Sequence, residues 1–184
     1  MPLKKSTQPL IRYCAFLRGV NISGTVMKME QVCSLFEKNG MQNVSAFLAS
    51  GNILFSSDKT KSVLKELLEK VMSEYFSYEA FLFVKDKREI ESIVSNNPFE
   101  AHPEFHIYSF AGTDGIEKIL IQEFKKSVRS EGEEAKIISG NFYWRISKGN
   151  TLNSEFGKIL GNKKFRGSFT SRNMNTFVKV LKKM

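Results

Sequence analysis

Apolar positions along this chain fall into short runs whose period switches between two and about 3.6, the mark of mixed strands and helices. Residues 12–18 form a compact apolar and aromatic run ending at Gly19, which predicts a buried strand. Met29, Val32, Cys33 and Phe36 then recur at helical spacing, with Gly40 as the stop. Residues 44–49 and 53–56 read as two strands turned at Ser50, Gly51 and Asn52, because glycine and asparagine tolerate the positive φ of a tight hairpin. Val63, Leu64, Leu67, Leu68, Val71, Met72 and Tyr75 form one helical stripe, and residues 79–85, with Phe81 and Phe83, predict a further strand. Strand, helix, hairpin, helix, strand is the βαββαβ order of ferredoxin-like units. Asp86 and Glu89 have the spacing of a capping box for a following helix, which stops at Asn96, Asn97 and Pro98.

The pattern then repeats. Residues 105–111 predict a strand ending at Gly112, and Asp114 and Glu117 open a helix with Ile116, Ile119, Leu120 and Phe124 inside. Residues 135–138 and 142–146 predict strands about Ser139, Gly140 and Asn141, so Ser-Gly-Asn turns the hairpin in both halves. A short helix at 154–160, a Lys/Gly/Ser loop and a last helix from about Arg172 complete the chain. No fourth strand is legible here, so the second half is expected to be βαββα. The expectation is an α+β protein of two tandem ferredoxin-like halves, residues 1–98 and 99–184, related by duplication, with antiparallel sheets and helices on one face.

In that topology the end of strand one lies beside the start of strand three. Arg18, Gly19, Asn21 and Gly24 are therefore expected at the same sheet end as Ser50, Gly51 and Asn52, where glycine backbone and an arginine can face an anion. The same residue types also serve plain tight turns. Thr170, Arg172, Asn173, Asn175 and Thr176 cluster at the expected start of the last helix, more polar side chains than capping alone needs. Arg172 suits bidentate contact with a carboxylate or phosphate.

Charge sharpens this. The net charge is +9, yet residues 1–139 hold 18 Lys+Arg against 18 Asp+Glu, and residues 140–184 hold ten basic residues and one acid, Glu155. The whole excess lies in the last quarter and includes Lys158 and Arg172, which predicts a local anion-facing surface.

Leu17, Arg18, Gly19, Val20, Asn21 and Gly24, then Met29, then Ser50, Gly51, Asn52, Ile53 and Phe55, and finally Thr170, Arg172, Asn173, Asn175 and Thr176 resemble the signature of the bacterial family known as domain of unknown function 1697, from about Arg12 to Lys182. Ser23 and Met174 depart from it, standing where the family usually has glycine and often has tryptophan. The resemblance implies a cytoplasmic bacterial α+β protein of ferredoxin-like halves and brings no activity, substrate or cofactor.

Other chemistry is not signalled. No apolar run approaches the roughly 18 residues of a membrane span, and two unpaired cysteines, Cys14 and Cys33, fit a reduced compartment. His102 and His106 read as surface or edge histidines: on one strand they would sit about 13 Å apart, too far to share a metal. No nucleophile elbow, phosphate-binding loop, dinucleotide fingerprint or metalloprotease motif occurs. The leading function class is binding of a small anion, a phosphorylated or carboxylated metabolite or a nucleotide. A nucleic-acid module is the rival, although Ile53, Leu54 and Phe55 lack the basic-aromatic pattern that RNA-recognition sheets carry. An interaction scaffold or homodimer is third.

Overall fold

The computed structural model describes residues 9–20, 27–48 and 51–184. The first half runs β1 (Ile11–Arg18), α1 (Met29–Lys38), β2 (Gln42–Phe47), β3 (Asn52–Ser57), α2 (Lys61–Phe76), β4 (Phe81–Asp86) and α3 (Lys87–Ser95). The second runs β5 (Phe105–Gly112), α4 (Ile116–Lys126), β6 (Glu134–Ile138), β7 (Asn141–Ser147), α5 (Glu155–Leu160), a 3-10 turn (Lys163–Phe165), β8 (Phe169–Asn173) and α6 (Met174–Leu181). Two antiparallel four-stranded sheets result, in the orders β2-β3-β1-β4 and β6-β7-β5-β8. Among the described residues, no helix is long and apolar enough to cross a membrane.

Local chemistry explains the turns. Gly51 turns the first hairpin at φ +74°, and Ser139 and Gly140 turn the second at +49° and +75°. A side chain at Gly51 would also meet Val20 at 2.7 Å, so the hairpin tip packs directly on the end of β1. The capping box at α3 is complete: Asp86 Oδ1 accepts from Glu89 N–H at 2.9 Å and Glu89 Oε2 from Asp86 N–H at 3.0 Å.

Helices cover both faces of the first sheet, which corrects the expectation of one covered face. Tyr13, Ala15, Leu17, Ile53 and Phe55 pack against α1 and α2 through Val32, Phe36, Leu64 and Leu68. On the other face Cys14, Phe16, Leu54 and Phe83 pack on Ile90 and Ile93 of α3 and on Met174, Phe177 and Val180 of α6. The reason is that Tyr13–Leu17 of β1 and Ile53–Phe55 of β3 are apolar on both faces, so neither face tolerates water. Ile107, Ala111 and Tyr143 of the second sheet join that same cluster. Phe110, Phe142, Trp144 and Ile146 point the opposite way, onto α4 and α5. Helices α3 and α6 are thus shared by both halves; Phe16 meets Phe177 at 5.1 Å between ring centroids, and Tyr143 Oη donates to Ile93 O at 2.9 Å.

A fourth strand is present in the second half, contrary to the sequence expectation. β8 pairs antiparallel with β5, Arg172 opposite Ser109 and Asn173 opposite Tyr108. Its sequence carries no apolar alternation because one inward position is filled by the Arg172 guanidinium. That group donates through Nε to Asn52 Oδ1 (2.8 Å), through Nη1 to Thr170 Oγ1 and Ser171 O (both 2.8 Å), and through Nη2 to Leu17 O (2.7 Å) and Gly51 O (3.4 Å). One side chain of β8 therefore ties the second half to β1 and to the β2–β3 hairpin. Partial burial, Cys14 and the neighbouring Arg18 set its pKa at about 10; burial is the largest effect, and the group remains a cation at neutral pH.

Two consequences are measurable by urea unfolding. Phe177→Ala, which empties a fully buried position in the shared layer, is expected to cost about 3–5 kcal/mol; a loss below about 1 kcal/mol would mean that the layer repacks freely. Arg172→Ala strands carbonyl and amide oxygens on three segments and is expected to cost roughly 3 kcal/mol, with Arg172→Lys recovering less than half because an ammonium cannot span the same fork. Full recovery by lysine would show that charge, not the planar fork, makes the tie.

Candidate functional site

Two groups of residues singled out in the sequence come together, and they do so in different places. The first group is at the meeting of β1, the hairpin tip and β8. Arg18 donates to Phe169 O and lies over the Phe169 ring, its guanidinium carbon 4.9 Å from the centroid. Burial, and secondarily Arg166, lowers its pKa from the ordinary arginine value. Gly19 follows it at the end of β1, Gly51 and Asn52 supply acceptors to Arg172, and Thr170 is buried beside them. Asn52 Nδ2 also donates to Phe47 O at 2.9 Å, fastening the hairpin. Asn21, Gly24 and Ser50 lie outside the described residues. The arginines do converge here, and their hydrogen bonds run to the protein's own carbonyl, amide and hydroxyl oxygens.

The second group is around a cavity of about 360 Å³ at the open end of the layer shared by α3 and α6. Asn173, at the end of β8, caps α6 by accepting from Asn175 N–H at 2.9 Å. Its amide faces His106 at 3.3 Å. Asn97, His102 and Lys148 supply the remaining polar lining, and Val94, Ile107, Met174 and Val178 the apolar wall. Asn97 is itself used up in a turn, donating to Phe99 O and accepting from Phe99 N–H. Thr176 is half-buried in the first turn of α6. Lys158 is exposed on α5, and among the described residues no hydrogen bond or ion pair joins it to Arg18, Arg172 or this cavity.

His102, His106 and Lys148 are the functional candidates that sequence reasoning passed over. A single-strand reading separated the histidines, whereas His102 precedes β5 in a turn containing Pro103 and only His106 is on the strand. The signal was available: both histidines of the chain occur within five residues, at a proline.

Other groups offer less. A larger cleft of about 580 Å³ contains Lys61, Lys65 and Lys85, but Lys61 and Lys85 both contact Glu89, at 2.8 and 3.0 Å, and Lys65 pairs with Glu69. Burial works to raise the Glu89 pKa, yet the hydrogen bonds and charges of Lys61 and Lys85 hold it below the ordinary carboxylate value. Those lysines already have their counter-ions. Burial pushes the Cys14 thiol up to about 12 and raises Cys33 as well, so neither is primed as a thiolate nucleophile. Among the described residues no group of three or more His, Cys, Asp or Glu could hold a metal ion.

Comparison with known proteins places this architecture. No curated protein matches the chain. The solved structure of conserved bacterial protein SP0830 from Streptococcus pneumoniae is similar over 95% of this chain and 98% of that one, with a TM-score of 0.76 at 20% identity, a likeness of fold. An unknown protein from Galdieria sulphuraria aligns over 95% of this chain and 93% of its own at 9% identity, with a TM-score of only 0.28. The family model described as "Protein of unknown function (DUF1697)" matches residues 10–143, from the residue before β1 into β7 and short of β8 and α6. The chain belongs to the DUF1697 family of proteins of unknown function.

Proposed function

We propose that this protein binds a small anionic molecule in the cavity at the start of α6, with His102, His106, Lys148 and Asn175 facing the ligand and Asn173 holding His106. The observation that carries this reading is the composition of the cavity wall: two imidazoles, an ammonium and asparagine amides, and no acidic side chain among its lining residues. Its volume suits a small metabolite. Arg172, Thr170, Asn52 and Gly51 serve the site indirectly, by fixing the strand that delivers Asn173; Arg18 and Gly19 brace the same junction. Lys158 has no part in this pocket.

The reading extends to the molecule as a whole. Each sheet has its first strand between its third and fourth, and each fourth strand runs into a helix of the shared layer. This supports two tandem ferredoxin-like halves, dividing near residue 98, that arose by duplication. Two free cysteines and a streptococcal protein of like fold support a bacterial, cytoplasmic setting.

Thermal-shift screening of the full chain against inorganic phosphate, sugar phosphates, nucleotides and organic acids tests the proposal. At least one anion is expected to raise the melting temperature, with the shift lost in Lys148→Ala and in His106→Ala and kept in Lys70→Ala, a change on the far helix α2. If no anion stabilises the wild type more than Lys148→Ala, the cavity is not an anion site.

A further inference from the structure

The hydrogen bonds around the cavity specify more than its charge. Asn173 Oδ1 is engaged by the Asn175 N–H, so the atom that meets His106 Nδ1 at 3.3 Å is the amide nitrogen, and it donates to the ring. Glu104 N–H likewise donates to His102 Nδ1 at 3.2 Å. In its neutral form each imidazole therefore carries its proton on Nε2. Among the described residues no hydrogen bond uses either Nε2 or the Lys148 ammonium. Contacts with Phe105 and Tyr108, at 5.3 and 5.9 Å between ring centroids, hold the two imidazoles in place. The cavity lining thus includes three donor groups and the apolar side chains of Val94, Ile107, Met174 and Val178.

From this arrangement we infer, building on the anion-binding reading above, that the ligand is a phosphate monoester with a small apolar or aromatic substituent. The three terminal phosphoryl oxygens accept from His102 Nε2–H, His106 Nε2–H and Lys148 Nζ, and the substituent lies on the apolar wall. A phosphate monoester offers one terminal oxygen to each donor group and carries a second negative charge near neutral pH, whereas a carboxylate's two coplanar oxygens must be shared among the three groups. Bare inorganic phosphate satisfies the donors but leaves the wall uncovered. Asn173 is a positioning residue: it sets the tautomer of His106 and does not itself contact the ligand.

Calorimetric titration of the full chain with phenyl phosphate, benzoate and inorganic phosphate decides the matter. Phenyl phosphate is expected to bind at least about tenfold more tightly than either of the others, and Lys148→Ala to weaken it by about tenfold or more. His106→Gln, which keeps a side-chain N–H near the Nε2 position, is expected to retain most of the affinity that His106→Ala loses. Long-range proton–nitrogen spectra should show both rings protonated at Nε2, with the His106 signature altered in Asn173→Ala. Benzoate binding as tightly as phenyl phosphate, and dependent on Lys148, would overturn the phosphate assignment and leave anion binding standing. Inorganic phosphate equal to phenyl phosphate would remove the role of the apolar wall and overturn the inference. A proton on Nδ1 of His106 would overturn the donor arrangement. Failure of all three probes to bind, together with a silent thermal screen, would remove both readings.

Discussion

A single guanidinium fixes how β8 of the second half meets β1 and the β2–β3 hairpin of the first. Arg172 lies where β8 meets β1 and the β2–β3 hairpin, and its donors reach backbone oxygens of Leu17, Gly51 and Ser171 together with Asn52 and Thr170. Taking a cation partly out of water is costly, as the downward pull of burial on its pKa reflects. These charge-assisted hydrogen bonds offset that cost only if every acceptor stays in place, so the group enforces one geometry of strand, hairpin and strand end. Asn173, the cap of α6 and a wall of the cavity, is the next residue along. Whatever fixes Arg172 also fixes the site.

The second organising feature is the helix layer between the sheets. α3 and α6 each follow the last strand of their half and bury apolar residues from both. The cavity opens where that layer ends: Val94 comes from α3, Met174 and Val178 from α6, Ile107 from β5, and the segment containing Asn97 and His102 connects the halves. It is made from pieces of both halves and so depends on their docking. Sites at such junctions gain shape from rigid elements and polar variety from the connecting chain.

The basic excess of the last quarter has no single explanation. Arg145 pairs with Glu134, Lys164 with Glu123 and Arg166 with Glu79, so part of it answers acids elsewhere in the chain. Arg172 is an internal tie, Lys148 lines the cavity, and Lys158, Lys163, Lys179, Lys182 and Lys183 are exposed. Clustering in sequence became dispersal in space, because the segment crosses the molecule from β7, inside the second sheet, to the shared layer.

Hydrophobic period, glycine placement and capping chemistry are local properties, and they were sufficient for most of the elements: β1 through α3, the two Gly-containing hairpins and the Asp86–Glu89 box can all be read from neighbouring residues. The family signature was legible too, although its C-terminal part lies beyond the residues matched by the family model. β8 was not legible, because a strand whose inward side chain is a hydrogen-bonded arginine shows no apolar alternation. The second covered face of the first sheet was equally hidden: it needs α6, which is more than 150 residues from β1 along the chain. The site follows the same division. Sequence alone named Asn173 and Asn175 as more polar than a cap requires, but only tertiary structure brought His102, His106 and Lys148 to them and turned the conspicuous Arg172 inward, since which way a side chain points is decided by the docking of distant elements and not by its neighbours in the chain.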